Sequence, residues 1–134
     1  MSQYVTDTHN LIWHLTQPRK LSSKIRHVFQ EADQGQAQIL VPSIVLIELI
    51  FIGDRQRIPD SLVNRLFNMD EAPGAAYQVV PLSKAVAVTA RDFGPAVIPE
   101  MADRIIAATA KYFDLPLLTS DPAILASGLV KVYQ

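Results

Sequence analysis

Short apolar runs alternate with stretches of helical periodicity along the whole chain, and this alternation limits the fold more than any other feature. Tyr4-Val5-Thr6, Gln38-Ile39-Leu40-Val41, Tyr77 to Val80 and Leu117-Leu118-Thr119 read as strands, with Leu129 to Tyr133 as a fifth at an edge. Between them lie helical segments: Asn10 to Leu15 and Ser22 to Asp33, parted by Pro18, then a helix capped by Ser43 and running to Ile52. Pro59 or Asp60 opens another, lasting to Met69; Ser83 to Arg91 is stopped by Gly94-Pro95; a last helix runs from Pro99 to Phe113. Proline suits a first helical turn, and Gly-Pro ends a helix. Strands that alternate with helices predict an α/β fold with a central parallel sheet of about four to five strands and helices on both faces.

The 134 residues fit one domain, and with no repeat, low-complexity tract or linker we place a single domain over 1–134. Apolar residues make up 49% of the chain, which suits a sheet covered on both faces or a surface hidden in partners. There is no cysteine, hence no disulfide, thiolate site or cysteine nucleophile. The segment Met1 to Thr8 lacks the pattern of a signal peptide, and the apolar run Ile39 to Ile52, interrupted by Pro42, Ser43 and Glu48, is too short to span a bilayer. The expectation is a cytoplasmic protein without a membrane partner.

In a parallel sheet, ligands gather outside the carboxyl ends of the strands, so acids placed there matter. Asp7 directly follows the first strand, and Asp121 follows the fourth with only Ser120 between. Either one alone reads equally as a helix or turn cap. Glu48 interrupts Ile44-Val45-Leu46-Ile47 and Leu49-Ile50-Phe51-Ile52, a helix with apolar residues on every side. Such a helix is expected to be largely buried, and a buried carboxylate must be paired, hydrogen-bonded or metal-bound. No Lys or Arg stands three or four residues away to pair with it. Asp103 falls in the first turn of its helix, where it complements the helix dipole and also faces the same sheet edge.

Four carboxylates from distant segments are the donor set of a hard divalent cation. Two such groups about 5 Å apart repel by roughly 3 kcal/mol at an effective dielectric of about 20. A cation relieves that repulsion. The net charge of −1 then turns positive, leaving Arg19, Lys20, Lys24, Arg26, Arg55, Arg57, Arg91 and Arg104 to meet a polyanion.

The segments Val5-Thr6-Asp7-Thr8-His9 through Trp13, Val41-Pro42-Ser43-Ile44 through Glu48-Leu49, Asp103 to Ala110, and Leu115-Pro116-Leu117-Leu118-Thr119-Ser120-Asp121 occur in an order that resembles the PIN-domain nucleases, most closely the VapC-type toxins of prokaryotic toxin–antitoxin pairs. The resemblance implies a three-layer, Rossmann-like α/β fold, dependence on Mg²⁺ or Mn²⁺, and hydrolysis of RNA. It carries over Asp7, Glu48, Asp103 and Asp121 as metal-binding and catalytic residues, with Thr119 as a hydroxyl that orients Asp7 or a water. It also implies an antitoxin partner, and the apolar content predicts a homodimer, with the helices Ser43 to Ile52 and Pro59 to Met69 as docking surfaces. A PIN-like binding module without activity and a DNA-cleaving nuclease are the alternatives.

Other features carry less. His9 follows Asp7 closely and is read as lining the site, and Arg104 as positioning substrate; His14 and His27 fall within helices. Arg55 and Arg57 suit phosphates or a solvated loop. Trp13, beside Leu11 and Ile12, could stack on a base, although an apolar helix face is more often core. No serine-nucleophile motif or glycine-rich phosphate loop appears. A phosphatase that uses an aspartyl nucleophile needs a second Asp where His9 stands, and a receiver domain needs a Lys after a late strand where Pro122 follows Asp121.

Overall fold

The computed structural model describes residues 1–56 and 58–134, with positions 53, 54 and 56 described at the backbone only. The sequence reading of Arg57 as a phosphate contact lies outside the described residues.

Five parallel strands form one sheet: β1 (Ser2–Thr6), β2 (Ala37–Pro42), β3 (Tyr77–Val80), β4 (Leu117–Leu118) and β5 (Val132–Tyr133), in spatial order β3-β2-β1-β4-β5. The chain winds outward from β1 to β3, then crosses back to lay β4 on the other side of β1. Seven α-helices occur among the described residues: α1 (Thr8–Thr16), α2 (Ser23–Asp33), α3 (Ser43–Gln56), α4 (Asp60–Phe67), α5 (Lys84–Thr89), α6 (Met101–Phe113) and α7 (Pro122–Ser127). The architecture is the predicted three-layer α/β fold with a parallel central sheet.

Local chemistry explains the main elements. Ser22 opens α2 by accepting from the Ile25 N–H at 3.2 Å, and Ile25, Val28, Phe29 and Ala32 then form its buried stripe at helical spacing. Gly35, at φ +76°, supplies the left-handed turn into β2. Helix α6 buries Ile106, Ala107, Ala108 and Ala110, and its small side chains let it lie close over β1 and β2. The helix α7 after Asp121 was not foreseen, since its first residue is a proline and its six residues are too few to show a period.

Two expectations are corrected. Ser43 is the first residue of α3, and its hydroxyl accepts from the Leu82 N–H at 3.2 Å, tying the end of β3 to the helix. Nor is α3 buried on every side: it sinks Val45, Leu49 and Ile52, while Ile47, Ile50 and Phe51 stay 52%, 43% and 64% exposed. A sheet and its neighbouring helices cover one stripe of a helix, and the outward apolar residues of α3 lie beyond that stripe.

Candidate active site

The point where strand order reverses, between β1 and β4, is where an open α/β sheet leaves a crevice at its carboxyl edge. Asp7 leaves β1 at that point, its N–H still donating to the Leu118 carbonyl at 3.2 Å. It caps α1, and every oxygen of its carboxylate is engaged. Oδ1 accepts from the backbone N–H and the side-chain Nδ2 of Asn10, both at 2.9 Å, and Oδ2 accepts from Thr119 Oγ1 at 2.7 Å. Thr119 Oγ1 in turn accepts from the Asp121 N–H at 3.1 Å. Asp7 is 7% exposed. Burial pushes its carboxyl above the usual carboxylate range, against the opposing pull of the Asn10 and Thr119 hydrogen bonds and of His9.

Asp121 caps α7 through Oδ2, which accepts from the Ile124 N–H at 3.0 Å. The capping and the functional readings of these two acids therefore coexist: a cap fixes a carboxylate at a helix start, and here each helix start faces the crevice. Asp103 stands half-buried in the first turn of α6. Its carboxyl is pushed up to about 6, first by burial and then by the negative charges of Asp121, Glu48, Asp7 and Glu100. Glu48, half-buried on α3, has its Oε1 held by the Thr8 hydroxyl at 2.5 Å.

The crevice is a cleft of about 210 Å³ whose walls include Asp7, His9, Asn10, Trp13, Asp103 and Asp121. Three of the four predicted acids line it; Glu48 stands behind Thr8, close enough for its charge to raise Asp103. The acids surround the cleft without closing into a cage: among the described residues, no three Asp, Glu or His side chains are grouped to hold an ion together. The donor chemistry nonetheless fits a hard divalent cation, since carboxylates and hydroxyls are oxygen ligands and the repulsion felt by Asp103 is the field such an ion offsets.

His9 is exposed and lines the cleft, its ring 5.9 Å from that of Trp13. Arg104 is placed elsewhere. Its guanidinium bends back to donate to the Pro99 carbonyl at 3.2 Å and is not among the lining residues. Successive helical residues point about 100° apart, so a residue adjacent to Asp103 need not share its face. His14 and His27 are structural: His14 stacks on Phe29 at 4.4 Å and meets Asp33 at 3.1 Å, while His27 pairs with Glu31 one turn on.

Sequence reasoning missed Thr8 and Asn10. Asn10 is fully buried and binds Asp7 twice; its position three residues after a helix-capping Asp was the available signal. Nothing in the sequence marked Thr8, whose partner lies 40 residues away. Trp13, weighed as core, packs partly against the core and also walls the cleft.

Thr119→Val tests the clamp on Asp7. It removes a hydroxyl that both donates to Asp7 and accepts from Asp121, and we expect a loss of about 1–3 kcal/mol in stability and about 10- to 100-fold in any activity of the site. Thr119→Ser should restore most of both, as read by thermal melts and turnover.

The PIN domain family model matches residues 4–126. The chain belongs to the PIN-domain family. Solved structures agree in fold with this PIN domain. A chain of the VapBC2 complex from Rickettsia felis, bound to a promoter DNA fragment, superposes with a TM-score of 0.71 at 13% identity, covering 98% of this chain and 97% of that one. A chain of the DNA-bound VapBC complex from Salmonella typhimurium gives 0.69 at 16% identity, covering 99% and 98%. One from the FitAcB structure of Neisseria gonorrhoeae gives 0.63 at 20% identity, covering 98% and 96%. A comparison with curated proteins finds no match. No helix among the described residues is long and apolar enough to cross a membrane.

Proposed function

We propose that this PIN domain is a metal-dependent endoribonuclease acting as the toxin of a toxin–antitoxin pair. The observation that carries the reading is the convergence of the acids: Asp7, Asp103 and Asp121 line one cleft, and burial followed by the charges of Asp121, Glu48 and Asp7, from three other segments of the chain, raises Asp103 to about 6. An array of this kind is costly to a fold and is retained where it binds a cation. The family match and the fold shared with chains of VapBC and FitAB complexes support the same conclusion.

Asp7, Asp103 and Asp121 would hold Mg²⁺ or Mn²⁺, with Glu48 completing the charge from behind Thr8. Such an ion lowers the pKa of a water and offsets charge on the leaving oxygen. The chain's own part is placement. Asn10 and Thr119 fix Asp7 so that no side-chain rotation is needed when substrate arrives, and Thr8 fixes Glu48. The cleft admits a phosphodiester to the acids, and attack by water from outside the chain leaves a 5′-phosphate and a 3′-hydroxyl. Incubating structured and single-stranded RNA, and DNA of the same sequence, with the protein plus Mg²⁺, Mn²⁺ or EDTA tests this. Cleavage of RNA that EDTA abolishes is expected. Products ending in 2′,3′-cyclic phosphate, or cutting of DNA alone, would overturn it.

The outward residues of α3 and α4 support the partner reading. Ile47, Ile50, Phe51 and Phe67 are exposed large apolar side chains, and a surface of this kind is covered in use. We assign it to a second copy of the chain and to an antitoxin segment that reaches toward the acidic cleft.

A further inference from the structure

A second groove, of about 530 Å³, adjoins the acidic cleft and shares a wall with it: His9 and Trp13 border both. Its far side is formed by Gln17, Lys20 and Pro59. Among the described residues its lining holds no Asp or Glu, so the chemistry changes across that shared wall from anionic to cationic and aromatic. Its volume falls within the range of about 300–1,000 Å³ of small-ligand sites. Lys20 is exposed, pairs with no carboxylate among the described residues, and holds its ammonium 5.8 Å from the centre of the Trp13 ring. That separation exceeds the contact distance of stacked rings, about 3.5–4.0 Å. A flat group can therefore approach the indole if the flexible lysine swings outward.

We propose that this groove is a nucleotide subsite: the nucleotide next to the scissile phosphate stacks its base on the Trp13 indole, and the following phosphate meets Lys20. Stacking on an aromatic ring accepts any base, and an ammonium reads only the phosphate, so the subsite adds affinity without sequence preference. It supplies the cation that the acidic cleft lacks and that Arg104, turned to Pro99, does not provide. The inference rests on the nucleic-acid reading of the neighbouring cleft.

Trp13 is the chain's one tryptophan, so indole emission reports on the wall that this groove shares with the acidic cleft. The test titrates a short single-stranded RNA of mixed sequence into the full chain bearing Asp7→Asn, in Mg²⁺, and follows that emission. Wild type and the variants Trp13→Leu, Trp13→Phe and Lys20→Ala are assayed for cleavage in parallel. Saturable quenching is expected. Trp13→Leu should raise KM about tenfold with kcat nearly unchanged, and Trp13→Phe should keep most of the affinity. Lys20→Ala changes an exposed side chain that sits over the Trp13 ring and pairs with no carboxylate among the described residues, and should lower the salt dependence of binding by about one phosphate contact. Cleavage by wild type with unchanged emission, and with Lys20→Ala and Trp13→Leu at wild-type KM, would overturn the subsite and leave the nuclease standing. Quenching without cleavage by wild type would do the reverse. If the two variants leave cleavage intact but abolish a protein partner's inhibition of it, the groove is a protein-docking surface and the proposal falls.

Discussion

Asp7→Asn is expected to reduce RNA cleavage by about a thousandfold while leaving the fold in place, because even a residue that only orients a metal ligand is worth about 10- to 100-fold. The side chain keeps its size, and asparagine caps a helix about as well as aspartate, so Oδ1 can go on accepting from the two Asn10 donors. What changes is the side facing Thr119. There an amide replaces an oxygen that accepts at 2.7 Å, and the Thr119 hydroxyl loses its acceptor, at a cost of about 1 kcal/mol. Relief from burying a charge at a site only 7% exposed works in the opposite direction. Thermal melts of the two proteins in EDTA should therefore nearly coincide while their turnover separates widely. A variant that cleaves RNA at more than about a tenth of the wild-type rate would remove Asp7 from the chemistry, since that loss is no larger than an orienting residue produces.

Asp103→Asn is expected to raise stability at neutral pH in the absence of metal. Its carboxyl is raised from the ordinary 3.8 to about 6 in the fold, so the folded protein holds that proton more tightly than the unfolded chain does. The stability this confers is complete below about pH 3.8 and is lost as pH rises through about 6. Without divalent metal, the wild type should thus fall in melting temperature across that window, more steeply than the variant. At 1.36 kcal/mol per pH unit the shift corresponds to about 3 kcal/mol. Asp103 is only half-buried, and screening by water reduces this to about 1–2 kcal/mol, or about 3–8 °C at neutral pH in favour of the variant. Adding Mn²⁺ should reverse the ranking. The check is a set of melts from pH 4 to pH 8 in EDTA and in Mn²⁺. Parallel curves for the two proteins in EDTA would show that the fold does not raise the Asp103 carboxyl.

The sheet was legible in the chain because its first three strands are short apolar runs each followed by a visible helix start, and β3 falls on Tyr77 to Val80 as predicted. Asp7 and Asp121 were legible for the same reason: strand ends are visible in sequence, and a parallel sheet brings its strand ends to one edge. The surroundings of those acids were less accessible. Thr8 and Glu48 are joined by one hydrogen bond between residues 40 apart, and no local pattern encodes such a pairing. The outward side of α3 misled for a physical reason. An apolar residue that waits for a partner and one that faces the core look alike in sequence, so Ile47, Ile50 and Phe51 gave the helix the pattern of a buried one. Arg104 turns to the Pro99 carbonyl although it adjoins Asp103, because adjacency along a helix is not adjacency in space.

The bond from Thr119 to Asp7 joins residues 112 positions apart, and the strand that carries Thr119 into place is only two residues long. A growing chain therefore has every part of its first helix long before it has the hydroxyl that locks the acid at that helix's start. A chain cut short before Thr119 lacks both this clamp on Asp7 and the acid at Asp121. The order of synthesis thus completes the helix that Asp7 caps early and supplies its lock last.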